Sequence, residues 1–253
     1  MKEIYSRILQ NTELNRKMLA VLLDPDECRG SLLASTVAAL KSNEPDFILV
    51  GGSHTVTSTD SLIELLKEET NAGVVLFPGN ALQFSIKADA LLYLSLLSGR
   101  NAEFLIGQHI TSALAIKNSN IEVIPTGYLL IDGGKPSSVE YISNTRPIPS
   151  DKNEIGLSTA VAAELLGMKL IYLEAGSGAN VPVSGCMIET VKSGLSIPLI
   201  VGGGIKTTAQ LNSAFEAGAD VVVVGNAFET NPSKIGEFVE CTRNFNEKLK
   251  ELF

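Results

Sequence analysis

Short hydrophobic runs recur along the chain, and most are followed by a stretch in which apolar residues return at helical spacing. Each run is bounded by Gly, Pro or Asp, a pattern that is typical of repeated βα units. The runs are almost uninterrupted in hydrophobicity, as in strands of a parallel sheet that is covered on both faces. Eight strands are predicted, at residues 19–23, 46–50, 73–77, 90–94, 127–131, 169–174, 197–201 and 220–224.

The segment between the third and fourth predicted strands is short. Its sequence, PGNALQFSIKADA, cannot hold both a full helix and two loops, so one outer helix is expected to be missing. Loss of that helix would expose the barrel flank near Phe77, Phe84 and Tyr93, where a groove for a long apolar ligand can form. A tight loop folded over the same flank fits the pattern equally well.

Polar residues between the strands predict helix starts and one long loop. Ser61 with Glu64, and Thr207 with Gln210, have the spacing of a capping box and place helices after the second and seventh strands. The segment at 131–155 is rich in Gly, Pro, Ser and Asn, and is predicted to be a loop at the rim.

Length and composition fit one barrel domain. A chain of 253 residues with 45% hydrophobic and 19% charged residues can bury a sizeable core, and barrels of roughly 250 residues commonly form one domain. We therefore predict an α/β fold, a modified TIM (β/α)8 barrel that lacks the helix after strand 3, as a single domain over residues 1–253.

Charge, apolar runs and cysteines exclude several partners and sites. A formal charge of −8 without any Lys/Arg run disfavours binding to nucleic acid or to an anionic membrane surface. No run of about 18 apolar residues and no signal-like N-terminus is present, so a membrane span is not expected and a cytoplasmic location is. Cys28, Cys186 and Cys241 are odd in number and widely spaced, which argues against disulfides and structural zinc.

Glycines follow the seventh and eighth predicted strands. They are Gly202, Gly203 and Gly204 in VGGGIK, and Gly225, which Asn226 follows in GNAF. The loops after these two strands commonly hold a phosphate in barrel enzymes. Glycine lets backbone N–H groups approach an anion closely, which suits an acidic protein. The sequence predicts a phosphate site here, and glycines that only permit tight turns are the structural alternative.

Other strand ends carry candidate catalytic groups. Asp24 follows the first strand and can bind Mg²⁺ while ligand phosphates complete its coordination, with Ser53 adding an oxygen. A turn or N-cap role fits Asp24 equally well. Glu174 ends the sixth strand with Tyr172 on the same face, and is a candidate base, hydroxyl-binding group or salt-bridge partner.

Several familiar catalytic motifs are missing from the sequence. Without a Ser/His/Asp arrangement, a Walker motif or a Rossmann GxGxxG, hydrolase, P-loop and dinucleotide-binding functions are disfavoured. His109 lies in a helical stretch, where a structural role is favoured, and no partner can be named for His54.

The motifs taken together resemble the geranylgeranylglyceryl phosphate synthase family. LLDPD, VGGSH, LFPGN, AAELLGMKLIYLEAGSGAN, VGGGIK and VVVVGNAFE follow one another over residues 21–229, and YLEAGSGA with GGGIK and GNA is quite specific. The resemblance implies Mg²⁺-dependent transfer of a prenyl group from a polyprenyl diphosphate, geranylgeranyl diphosphate above all, to the C3 hydroxyl of sn-glycerol 1-phosphate. The product is an ether used in lipid biosynthesis, and homo-oligomers, dimers or larger, are common in the family.

The resemblance also implies roles for individual residues. Asp24 and Ser53 would hold the magnesium on the diphosphate, and Glu174 and Asp24 would be catalytic. Leu22 stands where some members carry a Lys that touches the phosphate, which places this chain in the branch that relies on backbone donors. Glycerol phosphate would be bound by Tyr172, Leu173, Glu174, Ala175, Gly176, Ser177, Gly178, Gly203, Gly204, Gly225 and Asn226.

Two other functions would use the same phosphate loops. A phosphosugar isomerase would need an acid/base pair across the barrel, for which only Glu174 and Asp24 are available. A non-catalytic barrel that senses a phosphorylated ligand would bind glycerol phosphate and form no product with any prenyl diphosphate.

Overall fold

Eight parallel strands close into a barrel in the computed structural model, which describes residues 3–251. Neighbouring strands pair in chain order, and the last strand pairs with the first, with Met18 opposite Val221. The predicted α/β barrel is therefore confirmed. The strands are β1 (Met18–Leu23), β2 (Phe47–Val50), β3 (Gly73–Leu76), β4 (Ala90–Leu96), β5 (Glu122–Leu130), β6 (Leu170–Glu174), β7 (Leu199–Gly202) and β8 (Val221–Val224).

Helices surround the barrel. None of those within residues 3–251 combines the length and apolar character that a membrane crossing requires. They are α1 (Ile4–Glu13), α2 (Gly30–Ser42), α3 (Asp60–Glu69), α4 (Gln108–Lys117), α5 (Ser138–Ser143), α6 (Asn153–Leu165), α7 (Gly185–Ser193), α8 (Thr208–Glu216), α9 (Asn226–Glu229) and α10 (Lys234–Glu251).

Two buried layers follow from the alternation of side chains along each strand. On β6, Tyr172 belongs to the cluster that fills the barrel, whereas Leu173 belongs to the cluster between the strands and the helices. The same alternation puts Val223 inside and Val222 outside on β8. A strand-end residue therefore reaches the mouth of the barrel with its side chain only when it lies on the inner face.

The connection from β3 to β4 contains a single turn of 3₁₀-helix, Ala81–Gln83, in place of an outer helix. The predicted loss of one helix is thus confirmed. Gln83 is buried, its Nε2 donates to the Gly52 carbonyl at 2.9 Å, and its Oε1 accepts from the Gly79 N–H at 3.0 Å. This amide ties the loops after β2 and β3 together where the helix would have packed.

The N-terminal end of the barrel is closed by α1 and by buried acids. Glu122 at the start of β5 accepts hydrogen bonds from the main-chain N–H groups of Ile4 and Tyr5. One aspartate precedes each of β2, β4 and β8, accepts from the neighbouring strand and pairs with a cation. These acids are Asp46, Asp89 and Asp220, which accept from Leu19, Val74 and Leu199 and pair with Arg16, Lys67 and Lys192, respectively.

Three local predictions differ from the structure. The strand predicted at 127–131 begins earlier, at Glu122. Its first residues include polar groups and a proline, so the hydrophobic pattern did not mark them as part of the strand. The helix predicted to start at Ser61 begins at Asp60, whose N–H donates to the Ser58 hydroxyl. The segment at 131–155 is not wholly a loop, since it contains α5 and the start of α6. The capping box of Thr207 with Gln210 is present as predicted.

Candidate active site

The loops at the carboxyl ends of the strands enclose one cleft at the barrel mouth. It measures about 1210 Å³, counting the space that is open to solvent. Leu173, Ala175 and Gly176 are absent from its lining, and the Ala175 N–H donates to the Gly202 carbonyl. The predicted residues that line it are Asp24, Ser53, Tyr172, Glu174, Ser177, Gly178, Gly203, Gly204, Gly225 and Asn226.

Glycines form one corner of the cleft. Gly203 and Gly204 have φ angles of +82° and +71°, a region that disfavours other residues. A Cβ atom at Gly203 would lie 2.2 Å from Glu174 Oε1. The N–H groups of Gly203, Gly204 and Gly225 have no hydrogen-bond acceptor within the described part of the chain. Unpaired N–H groups that converge on a cleft are suited to bind an anion such as phosphate.

Gly225 has a different reason to be glycine. An added Cβ would lie 3.4 Å from Leu22, an ordinary van der Waals distance, so its protein neighbours do not require glycine there. Because Gly225 faces the cleft, its missing side chain leaves room for a ligand. Leu22 packs against this glycine and supplies no charge.

Glu174 lies at the base of the glycine corner. It is only 6% exposed, and its Oε1 accepts a hydrogen bond from the Gly176 N–H at 2.7 Å. Burial raises the pKa of this carboxyl to about 7, and the Gly176 N–H and Tyr172 hydroxyl oppose the shift. A carboxyl with this pKa is ionised in part of the molecules at neutral pH and can accept a proton from a bound hydroxyl.

Three aromatic rings line the wall beside Glu174. Tyr172 stacks on Phe77 with ring centroids 5.1 Å apart, and Tyr128 lies 5.4 Å from Tyr172. The Tyr172 hydroxyl is buried beside the Glu174 carboxyl, and within residues 3–251 it makes no hydrogen bond of regular geometry. It and Glu174 Oε2 both lie within 3.0 Å of the place where a Cβ of Gly202 would be. Burial first, and then the nearby Glu174 charge, raise the pKa of the Tyr172 hydroxyl, which stays protonated.

Asp24 follows β1, the strand next to β8, and lines the same cleft as the glycine corner. Its Oδ1 accepts from the Asp26 N–H at 2.9 Å, and a Cβ at Gly52 would lie 2.2 Å from its Oδ2. Burial is the largest of the effects that raise the pKa of Asp24. The carboxylate makes no ion pair with the described cations, and Ser53 follows Gly52 on the same wall. These two side chains therefore supply oxygen atoms at an acidic wall.

An apolar groove leaves the cleft along the flank without a helix. It measures about 930 Å³ and is lined by Phe77, Phe84 and Tyr93, as predicted, and also by Ile116. Gly52, Ser53, Phe77, Tyr128 and Val139 line both the groove and the cleft. One ligand could thus place a charged end at the barrel mouth and an apolar end in the groove.

The histidines differ in their surroundings. His109 lies in the wall of the groove, where its Nε2 is 3.2 Å from the Ser95 hydroxyl and its ring packs edge-on against Tyr93. Burial lowers the pKa of His109, so the ring is neutral at pH 7. His54 is exposed at the border of the cleft.

Sequence reasoning missed several residues that line or support the site. Ser138 and Val139 of α5 line the cleft, although their segment was expected to be a loop. A signal was present, because Ser137 and Glu140 have capping-box spacing and the Ser137 hydroxyl accepts from the Glu140 N–H. Gln83 had no comparable signal, since its role depends on which two loops meet in space.

Comparisons with known proteins agree with this geometry. The model of the PcrB family matches residues 12–242. A geranylgeranylglyceryl phosphate synthase of Chitinophaga pinensis is 48% identical over 249 residues, covering 98% of this chain and 99% of that protein. The enzyme of the same name from Thermococcus kodakarensis is 42% identical over 238 residues, covering 93% and 90%.

A solved structure is also similar. It is the crystal structure of (S)-3-O-geranylgeranylglyceryl phosphate synthase from Thermoplasma acidophilum in complex with substrate sn-glycerol-1-phosphate. The two folds agree with a TM-score of 0.88 at 34% identity, over 96% of this chain and 100% of that one. By sequence over nearly its whole length and by structure, this chain belongs to the PcrB family, together with these geranylgeranylglyceryl phosphate synthases.

Proposed function

We propose that the protein transfers a prenyl group from a polyprenyl diphosphate, geranylgeranyl diphosphate in the first place, to the C3 hydroxyl of sn-glycerol 1-phosphate. The observation that carries this proposal is the joining of a glycine-lined anion corner, a buried Glu174 and an apolar groove in one continuous space. Membership of the PcrB family and the substrate named for the Thermoplasma acidophilum relative support the same reaction.

The acceptor belongs at the glycine corner. The unpaired N–H groups of Gly203, Gly204 and Gly225 would hold the phosphate, which needs no lysine where several backbone donors converge. Glu174 lies within contact distance of a Cβ at Gly203, so a glycerol bound at that corner presents its hydroxyls to the carboxyl. With a pKa of about 7, Glu174 suits the removal of the C3 hydroxyl proton near neutral pH.

The donor belongs at Asp24 and Ser53 and in the groove. Asp24 fits a magnesium site, because Mg²⁺ commonly binds one or two carboxylates and takes its other ligands from water and substrate phosphates. Residues 3–251 contain no group of three or more His, Cys, Asp or Glu that could hold a metal unaided, so water and the diphosphate would complete the shell. Magnesium bound by Asp24 and Ser53 would neutralise part of the charge on the leaving diphosphate.

The chemical step needs few groups. The C3 oxygen attacks C1 of the prenyl chain, a carbon–oxygen bond forms, and the bond from C1 to the diphosphate oxygen breaks. The proton of the C3 hydroxyl passes to Glu174, and the diphosphate leaves with the bonding electron pair. Phe77, Tyr128 and Tyr172 keep the wall apolar, which excludes water that would compete with the hydroxyl. Positioning of the two substrates would supply much of the rate.

A phosphosugar isomerase has no need of the apolar groove, which is why this function ranks second to prenyl transfer.

The homo-oligomeric state and the cytoplasmic location stay predictions from the sequence and its resemblance.

One assay tests the proposed reaction. The protein is incubated with labelled sn-glycerol 1-phosphate, Mg²⁺ and prenyl diphosphates of several lengths, and the products are analysed by mass spectrometry. We expect a prenylglyceryl phosphate ether that forms fastest with one chain length. Glu174→Gln, which keeps the size of the side chain, is the matched control. Binding of glycerol phosphate without product from any donor would instead identify a sensor, and absence of both would refute the proposal.

A further inference from the structure

The side chain of Asn226 joins α9 to the loop after β6. Its Oδ1 accepts from the Gly178 N–H at 2.8 Å and from the Ser177 hydroxyl at 3.1 Å, both in the loop after β6. Its Nδ2 donates to Glu229 Oε2 at 2.9 Å, within α9. The amide therefore uses its carbonyl on the loop after β6 and its amino group on its own helix, and Asn226 can reach a ligand only through its main chain or its remaining N–H.

Glu229 fixes the direction of that amide. If the amide were rotated by half a turn, its amino group would face the Gly178 N–H, and its carbonyl would face the carboxylate of Glu229. Both contacts are unfavourable, so an acceptor at position 229 selects the orientation in which the carbonyl holds the loop. The spacing of Asn226 and Glu229 places both side chains on one face of the helical turn.

The residues beside Glu229 in α9 pack into the core. Ala227 and Phe228 of α9 are buried, and the ring of Phe228 packs edge-on against Phe238 at 5.2 Å. Glu229 itself is half-buried at the border of the cleft, so its carboxylate is held close to Asn226.

Ser177 and Gly178 depend on this contact. Within the described residues, their only hydrogen bonds to another element of the barrel run to Asn226. Gly178 has a φ angle of +66°, so the loop bends sharply at the place where it is held. The loop forms the third side of the glycine corner, next to Gly203 and Gly225.

We propose that Glu229 is a positioning residue for the acceptor substrate, acting through Asn226 to hold Ser177 and Gly178 against the phosphate corner. The inference rests on the proposed function in one respect, since it takes sn-glycerol 1-phosphate as the acceptor. Glu229 makes no contact with the reacting atoms in this account. Its effect falls on acceptor binding and leaves the donor and the chemical step unaffected.

Steady-state kinetics of three variants test the proposal. For Glu229→Ala we expect KM for sn-glycerol 1-phosphate to rise about 3- to 10-fold, the factor that loss of one ordinary hydrogen bond implies. The KM for prenyl diphosphate and kcat should stay within about twofold. Glu229→Gln should restore the wild-type KM, because its amide carbonyl still accepts from Asn226. Glu27→Gln removes a charge from the same rim without touching Asn226, and should leave KM for the acceptor unchanged.

A double-mutant cycle separates the hydrogen bond from the charge and from folding. In an Asn226→Ala background, Glu229→Ala should add no further rise in KM, since the bridge is already gone. Equal effects of Glu229→Ala with and without Asn226 would overturn the proposal, as would a failure of Glu229→Gln to restore KM.

Hydrogen exchange gives a readout that does not depend on turnover. In the free protein, Glu229→Ala should speed exchange of the Gly178 amide by about 3- to 10-fold, while Glu229→Gln should not. Amides of β6 serve as the control for global unfolding. Unchanged Gly178 exchange would overturn the inference even if the wild type is an active prenyltransferase. Faster exchange in a wild type that forms no product would leave the bridge intact and refute only the reaction.

Discussion

Glu174 is a carboxyl group that the fold buries at the mouth of a cleft, where burial raises its pKa to about 7. Because a base acts only when it is deprotonated, wild-type kcat/KM should rise with pH through about 7. Glu174→Gln should lower kcat by roughly 10²- to 10⁴-fold and abolish that rise. Initial rates between pH 5.5 and 8.5 measure both effects, and near-normal turnover of the variant would remove Glu174 from catalysis.

The same carboxyl should make the folded protein less stable at high pH. Its pKa is about 7 when folded and 4.5 as the ordinary value, so the folded state holds the proton more tightly. The contribution of Glu174 to the free energy of unfolding is therefore largest below pH 4.5. It falls by about 3 kcal/mol as the pH rises through about 7. Glu174→Gln escapes this loss. In urea unfolding, the free energy of unfolding of the variant relative to the wild type should be higher at pH 8 than at pH 5. An equal difference at both pH values would contradict the shifted pKa.

Gly203 combines an unusual backbone angle with a crowded site. Alanine there would strain the φ angle of +82° and place its Cβ 2.2 Å from Glu174 Oε1. Gly167 is the matched control, since its φ is +91° and nothing lies within 4 Å of an added Cβ. Gly167→Ala should cost about 1–2 kcal/mol of unfolding free energy from strain alone. Gly203→Ala should cost more and also weaken glycerol phosphate binding. Equal costs in urea unfolding would show that the contact with Glu174 is not restrictive.

Residue identity in the site was largely predictable, whereas residue orientation was not. Asp24, Glu174 and the glycines were found from their positions at strand ends, which topology fixes. Leu173 faces the helices because side chains alternate along β6, a rule that could have been applied to the sequence. The bridge from Asn226 to Gly178 joins residues 48 apart in the chain, and no local pattern indicates it.

At the scale of elements, the length of the connection between β3 and β4 predicted the missing helix, because too few residues connect these strands. Periodicity failed in the segment after β5, where α5 has only six residues. One helical turn and a half carries too few apolar positions to be recognised against a background rich in Gly and Pro. Its serine cap was the only usable signal.

The aspartates that precede β2, β4 and β8 lead to a prediction about stability. Asp220 is buried and joins the Leu199 N–H at 2.8 Å and Lys192 Nζ at 2.6 Å. Asp220→Ala leaves a buried N–H and a half-buried ammonium without this partner, and should cost about 2–4 kcal/mol of unfolding free energy. Asp151→Ala, which removes an exposed pair with Lys152, should produce no measurable change. Similar urea midpoints for both variants would contradict a structural role for these aspartates.

The whole molecule carries a net charge of −8 and yet has a cleft suited to two anionic substrates. The proposed arrangement resolves this by local means. In it, backbone N–H groups would bind the acceptor phosphate, and Asp24 with Ser53 would bind the donor diphosphate through magnesium. The groove, which extends from the same cleft, would direct the prenyl chain away from the acceptor.

The division into two anion sites is the central claim, and Asp24→Asn tests it most directly. Calorimetric titration of sn-glycerol 1-phosphate into wild type and variant, run beside the prenyl-transfer assay, measures acceptor binding and turnover on the same samples. The account predicts that turnover of the variant collapses. Its affinity for glycerol phosphate should stay within about twofold of the wild-type value, because Asp24 is not part of the acceptor site. Loss of glycerol phosphate binding together with turnover, or turnover at the wild-type rate, would contradict it.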